Sequence, residues 1–299
     1  METHGILKGI SAPQLTPFHQ DGSVNYGEYT RLTRYITANG VKGIFVCGTS
    51  GEFANLTIDE RCKLLTAAKA GAAEDTKIMF NVTALNLTDM KTLMDWAREH
   101  GADAVSVTPP YYHGYDAAAQ YDYFRTAAEM AGDMPIFLYN MPGMTRNPIK
   151  PATLKKLAET CLNLKGIKDS SMDFMTFLEF QAAVDKPGFE VITGNDAQVI
   201  TAAQADGTGA VIAMASVFPA LCNSIWSEYE AGNLAAAREA QTKVMQLRDL
   251  VRSIMPIMSH KAILEELGFH MGPARFPMRN LTAQEKEIIH NRLVELKLI

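Results

Sequence analysis

The sequence is poor in cysteine: Cys47, Cys62, Cys161 and Cys222 are the 4 among 299 residues, and they are widely scattered. No CxxC, HxH or HExxH spacing accompanies them, which argues against a zinc site and against a disulfide framework. Positive charge is not in excess either. Lys and Arg number 28 against 33 Asp and Glu, a net charge of -5, which makes a poor general nucleic-acid binder. No run approaches the roughly 20 apolar residues of a membrane span. The opening METHGILKGI carries an acid and two glycines where a secretory signal needs basic and then apolar residues. These absences leave a soluble, reduced, cytoplasmic protein with no nucleic-acid or membrane partner. What is present agrees: hydrophobic residues make up 47% and charged residues 20%, enough for a large core without disulfide or metal staples.

Short apolar runs alternate with longer amphipathic segments, and no low-complexity linker divides them. GIFVC (43–47), KIMFNV (77–82), DAVSVT (103–108), PIFLYN (135–140), NLKGIK (163–168), FEVIT (189–193) and GAVIA (209–213) read as strands. Each is followed by a segment of helical spacing. In TIDERCKLLTAAKAGA the spacing is carried by Leu64, Leu65 and Ala68; NLTDMKTLMDWAREHG offers Thr88 as an N-cap and Gly101 as a stop. With ILKGISAPQLTPF at the start and a helix near 25–39, the count is eight strand–helix pairs. Such alternation implies parallel strands with right-handed crossovers. An open nucleotide-binding sheet would show GxGxxG after its first strand, and SAPQLTPF does not. The expected fold is therefore α/β, a (β/α)8 TIM barrel over residues 1–231. Residues 232–299 carry only helical patterns and read as a C-terminal extension: a lid, a barrel cover or an oligomer contact.

A barrel of this kind keeps its active site at the C-terminal ends of its strands. Those ends carry Gly48-Thr49-Ser50-Gly51-Glu52, Thr108-Pro109-Pro110-Tyr111-Tyr112, Tyr139-Asn140, Lys168-Asp169-Ser170-Ser171 and Gly194-Asn195-Asp196. No His stands at any of them, and Cys47 lies within its strand, which disfavours Ser/His/Asp, Cys/His and zinc hydrolysis. Lys168 is the most informative. Two-residue alternation puts Lys168, Gly166 and Leu164 on one face and Lys165 and Ile167 on the other. A lysine at the inner mouth of an apolar barrel loses hydration, its pKa falls, and the neutral amine can attack a carbonyl to form a Schiff base. The plainer alternative is a lysine paired with an acid such as Asp169. Tyr139 shares a face with Phe137 and can pass protons to and from a carbinolamine oxygen, or can be packing alone. GTSGE offers backbone N–H groups and hydroxyls beside flexible glycines, a cradle for a carboxylate, although tight βα turns use the same residues.

GTSGE, VTPPYY, YNMPGMT and GIKDSS, in that order and at those spacings, resemble the dihydrodipicolinate synthase/N-acetylneuraminate lyase family of class I aldolases. QLTPF and ITGND extend the resemblance over the whole barrel. It implies a barrel with a helical C-terminal extension, pyruvate chemistry through a lysine Schiff base, no cofactor and no metal, and a homotetramer built from tight dimers. It further implies that Lys168 is the Schiff-base lysine, Tyr139 the proton donor and acceptor, and Thr49 the hydroxyl relay. Tyr111 becomes the tyrosine lent across the tight dimer, with Tyr112 an alternative register. Ser50 would hold the pyruvate carboxylate; Val211, through its carbonyl, and Gly194, Asp196 and Ser170 would line the substrate.

The chain also departs from that pattern. The synthases carry an Arg in the loop after the tyrosine motif, where Met144 stands, with Arg146 two residues on. Sialic acid lyases have an acidic pair after the seventh-strand glycine, and here Ala197 follows Asp196. Lysine-inhibited synthases tend to have His where this chain has Ile58 and Arg61. The expectation is a pyruvate aldolase or lyase whose partner is a small hydroxy-aldehyde, the cleaved substrate being a 2-keto-3-deoxy sugar acid. The alternatives are a dihydrodipicolinate synthase, a sialic acid lyase, a Schiff-base dehydratase and a barrel that binds without catalysing.

Overall fold

The computed structural model describes residues 5–299. Eight parallel strands close into a barrel in chain order: β1 (Gly9–Pro13), β2 (Gly43–Val46), β3 (Lys77–Asn81), β4 (Ala104–Val107), β5 (Ile136–Asn140), β6 (Leu164–Asp169), β7 (Glu190–Thr193) and β8 (Gly209–Val211). β8 returns to β1 with Gly9 opposite Gly209. The helices between them are α1 (Tyr26–Ala38), α2 (Ile58–Gly71), α3 (Leu87–Glu99), α4 (Ala117–Ala131), a short α5 (Pro142–Thr145), α6 (Pro151–Thr160), α7 (Phe174–Ala183) and α8 (Val199–Gln204). After β8 come α9 (Pro219–Glu230), α10 (Leu234–Ser253), α11 (Pro256–Glu266) and α12 (Ala283–Glu295). This is the (β/α)8 barrel with C-terminal helices that the alternation predicts.

Both faces of the strands are buried, which is why they read as near-continuous apolar runs. Phe45, Met79, Ala104, Phe137, Tyr139, Ile192 and Val211 pack inside the barrel. Their neighbours in sequence, such as Ile44, Ile78, Val105, Ile136 and Val191, pack outward under the helices. The strand pairing slips once: Ile136 faces Leu164, but Phe137 faces Gly166, so Lys165 is an extra residue on β6. The bulge corrects the expected face of Leu164, which packs outward with Ile136, while Gly166 and Lys168 stay inside. A side chain at Gly166 would put its Cβ 2.5 Å from the Phe137 ring, so glycine is what lets this layer fill. Helix starts follow local chemistry. Thr57 and Glu60 form a reciprocal capping box on α2. On α3 the cap is Asn86, whose side chain accepts from the Asp89 amide at 2.8 Å; the expected cap, Thr88, is already inside the helix. Among the described residues, no helix is long and apolar enough to cross a membrane.

Candidate active site

Lys168 and Tyr139 are direct partners in the β5–β6 ladder, so their side chains enter the barrel mouth side by side. The Lys168 Nζ lies 4.1 Å from the centre of the Tyr139 ring and 4.8 Å from that of Phe45. The side chain is buried, and among the described residues it forms no ion pair. Burial pushes its amine below the ordinary lysine value, with the Tyr139 hydroxyl and the charge of Asp196 pulling the other way. Asp169, the acid that sequence offered as a plain partner, is engaged elsewhere. Its carboxylate accepts from the Asn140 amide at 2.7 Å and from the Ser171 hydroxyl at 2.7 Å. What remains at Lys168 is an amine without an acid partner, whose burial favours its neutral form.

The loop after β2 brings the second half of the site. Thr49 Oγ1 stands 3.3 Å from the Tyr139 hydroxyl, a pair in which either can donate. Cys47 and Glu52 bracket this turn with left-handed φ of 55° and 61°, a conformation that non-glycine residues hold only where the surroundings enforce it. Two buried anchors do so. The Thr16 hydroxyl donates to the Gly51 carbonyl at 2.7 Å, and the Asn81 amide donates to the Cys47 carbonyl at 2.7 Å. Among the described residues, the backbone N–H groups of Thr49 and Ser50 meet no backbone acceptor, as an anion cradle at this turn would require.

A cavity of about 460 Å³ opens over Lys168. Thr49, Ser50, Tyr139, Lys168, Ser170, Gly194, Asp196 and Val211 all line it, so the structure gathers eight of the nine expected site residues. Gly194 is there by close approach: a Cβ would meet Ser170 Oγ at 1.9 Å and Lys168 Cε at 2.8 Å. The ninth, Tyr111, lines an adjoining, more apolar cavity of about 250 Å³ together with Thr49, Met141 and Met144. Its ring meets Phe53 edge-on at 6.4 Å. Tyr112 is 86% exposed and holds a φ of 79°, so the two tyrosines are set in opposite environments. Met144 lines both cavities, whereas Arg146 is exposed and lines neither. Among the described residues, no group of three or more His, Cys, Asp or Glu side chains is placed to hold a metal ion.

Sequence reasoning missed the part of the site that the C-terminal helices supply. Arg248 and Arg252 of α10 and His260 of α11 line the Lys168 cavity. His260 Nδ1 donates to the Pro256 carbonyl at 2.5 Å, and burial pushes its imidazole pKa down against the opposing charge of Asp196. The next residue, Lys261, is buried with its Nζ 2.5 Å from Glu52 Oε1, at an angle that completes no hydrogen bond for either group. Arg275 adds a second tie, reaching Glu60 at 2.7 Å and the Asn55 carbonyl at 3.1 Å. The extension therefore both walls the cavity and clamps the loop that carries Thr49 and Ser50. A spacing of four between two arginines was visible, but not which end of the barrel their helix covers.

A family profile described as "Dihydrodipicolinate synthetase family" matches residues 6–296. An uncharacterised DapA-like lyase of Halobacterium salinarum is 31% identical, over 98% of this chain and 95% of its own length. A 4-hydroxy-tetrahydrodipicolinate synthase of Prochlorococcus marinus is also 31% identical, over 95% of this chain and 94% of its own. The crystal structure of YagE, a prophage protein of the dihydrodipicolinic acid synthase family from E. coli K12 in complex with pyruvate, superposes with a TM-score of 0.93 at 25% identity, covering 98% of this chain and 99% of that one.

Proposed function

This chain belongs to the dihydrodipicolinate synthetase family, whose members are carbon–carbon lyases and aldolases, and on that premise we propose that it makes or cleaves a 2-keto-3-deoxy sugar acid, or a similar 2-oxo acid, through a Schiff base on Lys168. The observation that carries this reading is the buried Lys168 amine, unpaired among the described residues and beside a tyrosine that is itself joined to Thr49. In the cleavage direction the Lys168 amine attacks the C2 carbonyl carbon, and Tyr139 protonates the oxygen so that the carbinolamine leaves water and an iminium. The C4 hydroxyl then gives up its proton, the C3–C4 bond breaks, and its electron pair moves to the iminium nitrogen as the aldehyde departs. The enamine takes a proton at C3, and water hydrolyses the imine to free pyruvate and the lysine. Thr49 relays protons to Tyr139. Ser50 and the free amides beside it hold the substrate carboxylate, and Val211, Gly194, Asp196 and Ser170 line the carbon chain. No cofactor enters.

Tyr111 joins this proton path across a tight dimer interface within a homotetramer, or Tyr112 does. The exposed Tyr112 on left-handed backbone is consistent with a side chain held out for a partner. The synthase reading is favoured by the name of the Prochlorococcus relative. Against it stands Met144, a thioether where the synthases place a cation for aspartate semialdehyde, with Arg146 outside the cavity.

Pyruvate with borohydride should inactivate the protein irreversibly and leave a reduced pyruvyl group on Lys168 by peptide mapping. An adduct elsewhere, or none, removes the Schiff-base reading. Where that adduct is found, kcat/KM of the untreated enzyme for pyruvate with aspartate semialdehyde is compared with those for a neutral and for an anionic hydroxy-aldehyde. A win for the semialdehyde over both installs the synthase reading instead.

A further inference from the structure

The cavity over Lys168 is cationic on the side built by α10. Arg248 and Arg252 lie one helical turn apart, so their side chains leave the same face of that helix. Val244 and Leu247 of α10 are buried in packing, and Val251, between the two arginines, lines the cavity with them. Their existing partners are weak. Arg248 has only Asp249, its own neighbour on the helix, at 3.3 Å, with the Asp249 side chain 68% exposed. Arg252 has no ion pair among the described residues. Its place in the last turn of α10 also suits the helix dipole, but that does not account for Arg248, a turn further in.

Of the other ionisable groups that line the cavity, Lys168 and His260 are both pushed toward their neutral forms, and Asp196 accepts from the Met214 amide at 2.9 Å. The remaining α10–α11 wall includes Val251, Met255 and Ile257. Two guanidinium groups with little competition, against an apolar wall, form a site for an anion rather than for a string of neutral hydroxyls. From this geometry we infer that the 2-oxo acid cleaved or formed at Lys168 carries a second acidic group at its far end, a carboxylate or a phosphate, held by Arg248 and Arg252. This deepens the aldolase reading and rests on it. The aldehyde half of the reaction is then itself an anion, and the class of enzyme that supplies the substrate must leave an acid at both ends of the chain.

The test uses the full chain with pyruvate and three aldehydes: succinic semialdehyde, glyceraldehyde 3-phosphate and neutral glyceraldehyde. In the native protein at least one charged aldehyde should exceed the neutral one in kcat/KM by roughly tenfold to a hundredfold, the range that a charged hydrogen bond supplies. Which one does so identifies carboxylate or phosphate. That preference should collapse toward unity in Arg248→Met/Arg252→Met, mainly through KM, and return in part with Arg248→Lys/Arg252→Lys. A second measurement needs no variant: raising ionic strength should lower kcat/KM for the charged aldehyde more than for the neutral one. A native enzyme without charge preference, or one whose preference survives loss of both arginines, overturns the inference. Borohydride trapping of pyruvate separates the two levels. An adduct without the preference sinks the anion site alone, and no adduct in the native protein sinks the aldolase reading beneath it.

Discussion

Two lysines are buried almost completely in this molecule, and they do opposite things. Lys168 is 3% exposed and Lys261 is 1% exposed; burial lowers the pKa of both amines. Each also sits near an aromatic ring, with Phe18 4.4 Å from the Lys261 Nζ. The difference is one carboxylate. Lys261 faces Glu52, which stabilises the ammonium and turns the pair into a strut between α11 and the loop after β2. Lys168 has the Tyr139 hydroxyl and two ring faces instead. A ring face favours a cation by only about 0.5–2 kcal/mol, whereas the loss of water costs several kcal/mol per ion, so desolvation prevails. The amine is pushed toward its neutral form, the form that the proposed attack on a carbonyl needs. Burial alone does not make a lysine reactive. Burial without an acid is what favours the neutral amine that such reactivity needs.

Exchanging the chemistry of the two lysines gives the largest effects. Lys168→Met should abolish turnover and the borohydride adduct, and the protein should melt no lower than native, because an unpaired buried amine is replaced by an apolar chain of similar length. Residual turnover in that variant, or an adduct that persists in it, would mean that the reactive amine lies elsewhere. Next in size is the group that separates the two environments. Tyr139→Phe keeps the ring that packs on Lys168 but removes the hydroxyl that meets Thr49, and kcat should fall by about 10²–10⁴-fold with folding unchanged. If kcat stays near native, the tyrosine is packing and the proton comes by another route.

The Lys168 side of this comparison was readable in the sequence, and the Lys261 side was not. Short, near-continuous apolar runs locate each strand, because parallel strands bury both faces, and the strand ends point to Lys168, Tyr139 and Thr49. The single extra residue on β6 breaks the alternation. A bulge is a slip between two strands, and neither strand carries it alone, so Leu164 was assigned to the wrong face. Thr88 and Asn86 are both competent caps two residues apart, and propensity does not choose between them. The deeper loss concerns the extension. Helical periodicity says that residues 234–253 form a helix, but not which end of the barrel it crosses. Nothing in that pattern sets Arg248, Arg252, His260 and Lys261 apart. Their roles depend on tertiary packing, which a period of 3.6 does not encode.

The finest test of the comparison is the coupling between Lys261 and Glu52. Removing one member of a buried ion pair leaves the other charge without compensation, at about 3–5 kcal/mol, whereas removing both leaves no buried charge. Lys261→Met and Glu52→Gln should each be strongly destabilising in urea. The double variant should recover part of the loss, with a coupling of about 0.5–3 kcal/mol, the range found for residues in direct contact. Glutamine at 52 keeps the length of the side chain and tolerates the left-handed backbone about as well as the native residue, so the comparison isolates charge. Because Glu52 lies two residues beyond Ser50, loosening the strut should also raise KM for pyruvate in the single variants, and Lys168 should still be trapped by borohydride in each. Additive free energies would show that the two groups are neighbours without being partners. The tie between the C-terminal segment and the chain after β2 would then rest on Arg275, through Glu60 and the Asn55 carbonyl.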